Sequence, residues 1–152
     1  NYQESTIRAA QKVSKLLNKP VYTVIVSRSA TQIEKLRKSG INIIRDKNRP
    51  EDFLSFIMNA DLVLSDSFHG TAFSIIFEKK FYSVNDCING EYVNDERICN
   101  ILGELGIPER YIKEEDIQNL DFQKEIDYIA VTNKRLELAE NAINDIAKVI
   151  ED

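Results

Sequence analysis

The sequence predicts an α/β fold, a three-layer α/β/α domain with a mostly parallel sheet. Three observations carry that expectation. Short runs rich in β-branched residues alternate one for one with helical stretches. The first of these runs, VYTVIV at 21–26, reads as a strand buried on both faces. The chain has 152 residues, of which 43% are apolar, enough for one domain with its own core.

Each element has a local reason. From about Gln3 to Leu17, Ile7, Ala10, Val13, Leu16 and Leu17 fall on one side at helical spacing, and Asn18-Lys19-Pro20 stops that helix. After the strand at 21–26 comes a polar loop, Ser27 to Ala30. Thr31 is expected to cap a helix reaching Lys38, with Glu34 completing a capping box. Gly40 ends it, and Ile41 to Ile44 is the next strand. A polar connection, Arg45 to Arg49, leads to Pro50, which opens a helix ending at Asn59 with two acids in its first turn. Asp61 to Ser65 is a third strand and Asp66 to Gly70 a turn. Thr71 to Phe77 is a helix, apolar nearly all round and so expected to be buried. Phe81 to Val84 is a fourth strand. A polar stretch, Asn85 to Asp95, precedes a helix from Glu96 to Leu105 that Gly106 and Pro108 close. Asn119 to Asp121 is loop. A long helix, Asp127 to Ile150, carries Leu136, Ala139, Ile143, Ile146 and Ile150 as a packing stripe.

The four strands are expected to be parallel, with right-handed crossovers and helices on both faces. No internal repeat or low-complexity segment is evident. A doubly wound domain usually begins with its central strand, whereas this chain begins with a helix and lacks an initiator methionine. We therefore expect the first strand upstream of Asn1. Its place would be a gap between the strands at Val21 and Asp61.

Composition narrows the functions. The net charge is -5 with both signs interspersed, which argues against a nucleic-acid footprint and against a polybasic membrane anchor. No apolar run approaches the roughly 20 residues of a transmembrane segment. Cys87 and Cys99 are too far apart for a C-x-x-C pair and have no histidine neighbour, so no zinc site is read. Two thiols in a domain of this size suit a reduced, cytoplasmic setting.

Ligands in open α/β sheets bind beyond the carboxyl ends of the strands. The polar residues there are Ser27, Arg28 and Ser29, then Asp66 to Thr71, then Asn85 and Asp86. His69 is the sole histidine and stands where a strand hands over to a helix. Gly70 permits close approach, and the free N–H groups of the helix start, with the Ser67 and Thr71 hydroxyls, can hold an anion. The alternative is purely structural: Ser67 or Asp66 as a helix cap, and His69 as a satisfied, half-buried side chain. Arg28 can clamp a carboxylate or simply face solvent. Asp46, Glu51 and Asp52 read as solvated acids at a helix start. G-x-G-x-x-G, the Walker lysine loop and G-x-S-x-G are all absent.

The run PEDFLSFIMNADLVLSDSFHGTAFSIIFEKKFYSV, 50–84, resembles the C-terminal block of the polysaccharide pyruvyl transferase family, with Ser67-Phe68-His69-Gly70-Thr71-Ala72-Phe73-Ser74 as its specific part. Arg97 with LGELG at 102–106, Arg110, and Tyr2 to Ser5 are similar to flanking segments of that family. One departure stands out: many members carry arginine two residues before the histidine, where this chain has Ser67. The resemblance implies a GT-B-like enzyme with a cleft between two Rossmann-like halves. It implies transfer of a pyruvyl group from phosphoenolpyruvate to hydroxyls of a saccharide acceptor, a cell-surface polysaccharide or its precursor. In that reading His69 is the acid/base. Ser27, Arg28, Ser67, Phe68, Gly70, Thr71 and Arg97 bind substrate, no cofactor or metal is called for, and this half alone is inactive. A nucleotide-sugar glycosyltransferase half-domain and a non-catalytic binding domain are the alternatives.

Overall fold

The computed structural model describes residues 4–24, 30–44, 49–88 and 91–151; the side chains of residues 32, 35, 86–88, 91, 92 and 151 are outside the description. In chain order the elements are α1 (Glu4–Leu17), β1 (Tyr22–Val24), α2 (Ala30–Lys38), β2 (Asn42–Ile44), α3 (Pro50–Asn59), β3 (Val63–Ser65), α4 (Phe68–Ile76), β4 (Phe81–Val84), β5 (Asp86–Ile88), β6 (Glu91–Val93), α5 (Glu96–Glu104), a 3-10 turn (Pro108–Arg110), β7 (Tyr111–Ile112), a 3-10 helix (Glu114–Asn119) and α6 (Tyr128–Glu151).

The fold is mixed α/β with mostly parallel strands. β1 pairs with β2 in parallel, Tyr22 opposite Asn42 and Val24 opposite Ile44. A second piece of sheet has the order β3-β4-β7, also parallel, with Ser65 opposite Ser83 and Ser83 opposite Tyr111. Every pairing among the four expected strands is thus parallel. The two pieces share no strand pairing among the described residues. Helix α1 packs across both: Ala10, Leu36 and Ile41 form a cluster that also takes in Val21, Ile43 and Leu64.

Strand β4 is buried along its whole length, and its alternating side chains divide the core between two faces. Phe81 points toward Ile75, Ile98, Leu102, Leu105, Ile107 and Val131, the side covered by α4, α5 and the start of α6. Tyr82 and Val84 point toward Ala9, Val13, Ile112 and Ile117, the side covered by α1 and the 3-10 helix. Each such fully buried large apolar side chain contributes about 1.5–3 kcal/mol. Glu114 fastens the second face. It takes ion pairs from Arg8 at 2.5 Å and Lys12 at 2.9 Å, tying the 3-10 helix to α1. Gly40, at φ +75°, and Gly106, at φ +74°, turn the chain after α2 and α5 in the left-handed region that glycine adopts without penalty.

Several expectations are corrected. Helix α2 starts at Ala30, so Thr31 lies inside its first turn and does not cap it. Helix α4 starts at Phe68, three residues earlier than expected, so most of the expected turn is helix. Its apolar surroundings are also uneven. Gly70, Thr71, Ser74 and Ile75 are buried, while Ile76 is half exposed, because the buried side uses hydroxyls where aliphatic groups were expected. Asp52 is buried beside Arg49, 3.2 Å away, and is not a solvated acid. The polar stretch after β4 contains an antiparallel hairpin, β5–β6, with Asp86 opposite Val93. Strand β7 was not expected. On α6 the predicted packing stripe, Leu136, Ala139, Ile143, Ile146 and Ile150, is exposed.

Candidate functional site

The carboxyl end of β3 delivers the chain into α4 through Asp66 and Ser67. Ser67 is the N-cap in extended conformation, and its Oγ accepts the Gly70 N–H at 3.0 Å. Its own N–H donates to Ser65 Oγ at 3.1 Å. The Thr71 N–H closes the first intrahelical bond to the Ser67 carbonyl at 3.0 Å. Phe68, His69 and Gly70 are therefore the first three helical residues. The N–H groups of Phe68 and His69 are the first-turn donors for which a helix supplies no acceptor.

Gly70 is required by space. A Cβ there would sit 2.0 Å from Ser65 Oγ and 2.9 Å from Ser65 Cβ, so the helix start rests directly on the last residue of β3. Thr71, expected to offer its hydroxyl to a ligand, is fully buried. Its Oγ1 lies 3.1 Å from the Ser67 carbonyl and 2.6 Å from Ser83 Oγ. The hydroxyl thereby bolts α4 to β4. Ser74 Oγ, also buried, donates to the Gly70 carbonyl at 2.7 Å.

His69 is exposed on the first turn, and its ring meets Phe68 edge-on with centroids 6.1 Å apart. Over the Phe68 ring lies the Arg97 guanidinium, 5.5 Å from the centroid. Arg97 is aimed by Asp95, which caps α5 by accepting the Arg97 N–H at 3.0 Å. Asp95 also takes a two-pronged bond from the side chain, Nε to Oδ1 at 3.0 Å and Nη2 to Oδ2 at 2.7 Å. That pairing holds the Asp95 carboxyl below its ordinary range and raises Arg97 further above its own. Tyr111 completes the support, its hydroxyl accepting the Asp95 N–H at 3.0 Å. The structure thus brings His69, Phe68 and Arg97 together at the carboxyl edge of the sheet.

Asp66 sits beside this group on the α1 side. Thr6 donates to its Oδ2 at 3.2 Å. Burial pushes its carboxyl above the usual range, and its own backbone N–H and the Thr6 hydroxyl offset that only in part. Asn85, at the end of β4, is buried, and its amide donates to Asn94 Oδ1 at 2.6 Å across the base of the hairpin. Ser27 and Arg28 lie outside the described residues, as do Ser29 and Asp46. Among the described residues no group of three or more His, Cys, Asp or Glu side chains could hold a metal ion. No described helix is long and apolar enough to cross a membrane. Among the described residues, shallow depressions elsewhere include one of about 340 Å³ lined by Arg37 and Gly40 to Ile43 and one of about 270 Å³ at Glu78 and the start of α6.

Sequence reasoning missed Asp95, Tyr111 and Ser65. The D-x-R spacing ahead of the helix at 96 was a readable signal for the Asp95–Arg97 pair, since an N-cap acid reaches the residue two positions on. Tyr111 and Ser65 act through sheet register, which no local pattern reveals.

The polysaccharide pyruvyl transferase family model matches residues 1–87, more than half of the chain. The match includes the Ser67–Thr71 segment and ends before Arg97. No curated protein and no solved structure matches the chain.

Proposed function

This chain belongs to the polysaccharide pyruvyl transferase family. From that premise we propose that it supplies one wall of a GT-B-like active-site cleft. There a pyruvyl group passes from phosphoenolpyruvate to hydroxyls of a saccharide destined for a cell-surface polysaccharide. The observation that carries the reading is the grouping of an exposed histidine, a serine-capped helix start and a braced arginine at one sheet edge.

The chemistry sets the roles. The methylene carbon of the enol accepts a proton, and a sugar hydroxyl bonds to the resulting cationic carbon. The bond from that carbon to the phosphate oxygen breaks, and inorganic phosphate leaves. A second hydroxyl bonds to the cationic carbon that phosphate departure leaves and closes the ketal. Each hydroxyl gives up its proton as it adds, one replacing the proton spent on the methylene carbon and the other released. His69 moves the proton, as histidine is suited to do near neutrality. The Phe68 and His69 N–H groups and the positive end of α4 hold donor anion charge, and Arg97 pairs with phosphate or carboxylate. Arg28, which follows β1 in sequence, is a further candidate cation for the same donor. Ser67 and Thr71 act by holding the helix start in place, Ser67 as cap and Thr71 through Ser83. With Ser67 where many relatives carry arginine, Arg97 and Arg28 take on the donor's charge in this chain.

The test is phosphate release by the intact polypeptide given phosphoenolpyruvate and saccharide acceptors, with formation of a pyruvate ketal followed by mass. Release that depends on the acceptor supports the assignment. Binding and turnover of nucleotide sugars, with phosphoenolpyruvate inert, would replace it with the glycosyltransferase alternative.

A further inference from the structure

Helix α6 is bound to its own domain only near its start. Tyr128, Val131 and Leu138 pack into the core around Phe81. Ile129, Leu136, Ile143, Ile146, Val149 and Ile150 are exposed, Ile129 to 79% and Ile150 to 78%. These side chains are ordered along the helix. Ile129, Leu136, Ile143 and Ile150 recur every seven residues, and Thr132, Ala139 and Ile146 each follow three residues later. Those are the a and d positions of a heptad repeat. Charged residues occupy the outer positions, where Lys134 pairs with Glu137 at 3.3 Å and Lys148 with Asp145 at 3.2 Å. At about 100° of turn per residue, Val131 and Leu138 project nearly opposite the a/d seam. From Leu136 onward the seam therefore faces away from the domain that carries it.

We propose that α6 pairs in parallel with α6 of a second copy of this chain. Three features choose that occupant. Three of the four a positions are isoleucine, the β-branched residue at home at a in two-stranded coils, with Thr132, Ala139 and Ile146 at d. Arg135 stands at a g position and Glu140 at the e position five residues on. In a parallel, in-register pair each g residue meets the following e residue of the other strand, so Arg135 faces Glu140 twice by symmetry. An antiparallel pair sets g against g and e against e, so Arg135 and Glu140 no longer face each other. The core-facing side of each helix also lies on the outside of such a pair, leaving room for both domains. Pairing further supports a helical segment that is marginal by itself in water. The inference uses no residue of the transferase site, so the two readings stand or fall separately.

Sedimentation velocity of the full chain over a dilution series tests it. A concentration-dependent dimer is expected. Ile143→Glu with Ile146→Glu, which keeps helix propensity, raises the dissociation constant by more than about 100-fold and leaves the melting of the domain unchanged. Arg135→Glu weakens the dimer, and adding Glu140→Arg restores it. Ile150→Cys cross-links two copies on mild oxidation, because parallel register sets the two 150 positions side by side. A chain that stays monomeric throughout, including one whose stripe is covered by another part of its own polypeptide, overturns the proposal. So does a dimer that ignores the Ile143 and Ile146 changes, or one that the charge swap fails to restore.

Discussion

The Arg97 guanidinium lies 5.5 Å above the centre of the Phe68 ring while its fork is held by the Asp95 carboxylate. The arginine is thus held over a π face and along its edge by an acid, next to the helix start that carries His69. A cation fixed in this way needs little reordering to meet an anionic donor. On the proposed pyruvyl-transfer reading, Arg97→Ala should raise KM for phosphoenolpyruvate by about 10- to 100-fold, the usual worth of a hydrogen bond to a charged group, with a smaller effect on kcat. Arg97→Lys should rescue little, since an ammonium cannot keep both the planar stack and the two-pronged bond. Steady-state kinetics of the two variants check this.

Ser67 is both a cap and a neighbour of the proposed anion site, and two substitutions separate these roles. Ser67→Ala removes the acceptor of the Gly70 N–H and should cost about 1 kcal/mol of stability. Ser67→Asp keeps a capping oxygen and so preserves the melting temperature, yet brings negative charge to the helix start. It should raise KM for the donor while the protein remains folded. Thermal melts read beside donor titrations distinguish the two.

Gly70→Ala places a methyl group 2.0 Å from Ser65 Oγ. Either the helix start or the end of β3 has to move, at a cost of about 1–3 kcal/mol. For a domain of this size that lowers Tm by roughly 2–4 °C per kcal/mol. Removing the obstructing side chain with Ser65→Gly in the same protein should return part of the loss, measurable by calorimetry.

Much of the fold was legible because it is written locally. The strand at 81–84, the helix opened by Pro50 and the glycine stop at Gly40 each follow from a few neighbouring residues. The misplaced start of α4 has a physical cause. Phe-His-Gly is a poor helical opening by propensity, yet the Ser67 cap and the Thr71–Ser83 bond impose it from outside the segment. Strand β7 was missed because Tyr111–Ile112 is two residues long and exists only through pairing with Ser83 and Val84. At the site, the motif located His69, but Asp95 became visible only when α5 was set beside α4. The stripe of α6 was read correctly as apolar and wrongly as packed, since periodicity reports a face and not what covers it.

Asp66 gives a pH-dependent prediction. Its folded-state carboxyl is raised, chiefly by burial, so the native state favours the protonated form. Stability therefore declines as pH rises from the ordinary aspartate range through the elevated value, and the ionised group is a net cost above it. Asp66→Asn should raise Tm at neutral pH. The gain should vanish once the pH falls below the ordinary carboxylate range, where both states of the parent are protonated. Melting curves of the two proteins from acidic to neutral pH check the sign.

The most direct test of the central claim is the pyruvyl-transfer turnover of His69→Ala beside that of the parent protein, with its melting curve recorded alongside. His69 is exposed at the first turn of α4, so its loss should leave Tm unchanged. If it carries the proton in pyruvyl transfer, kcat should fall by about 10²–10⁴-fold while KM for phosphoenolpyruvate shifts little. A stably folded His69→Ala enzyme with unchanged kcat would contradict the account.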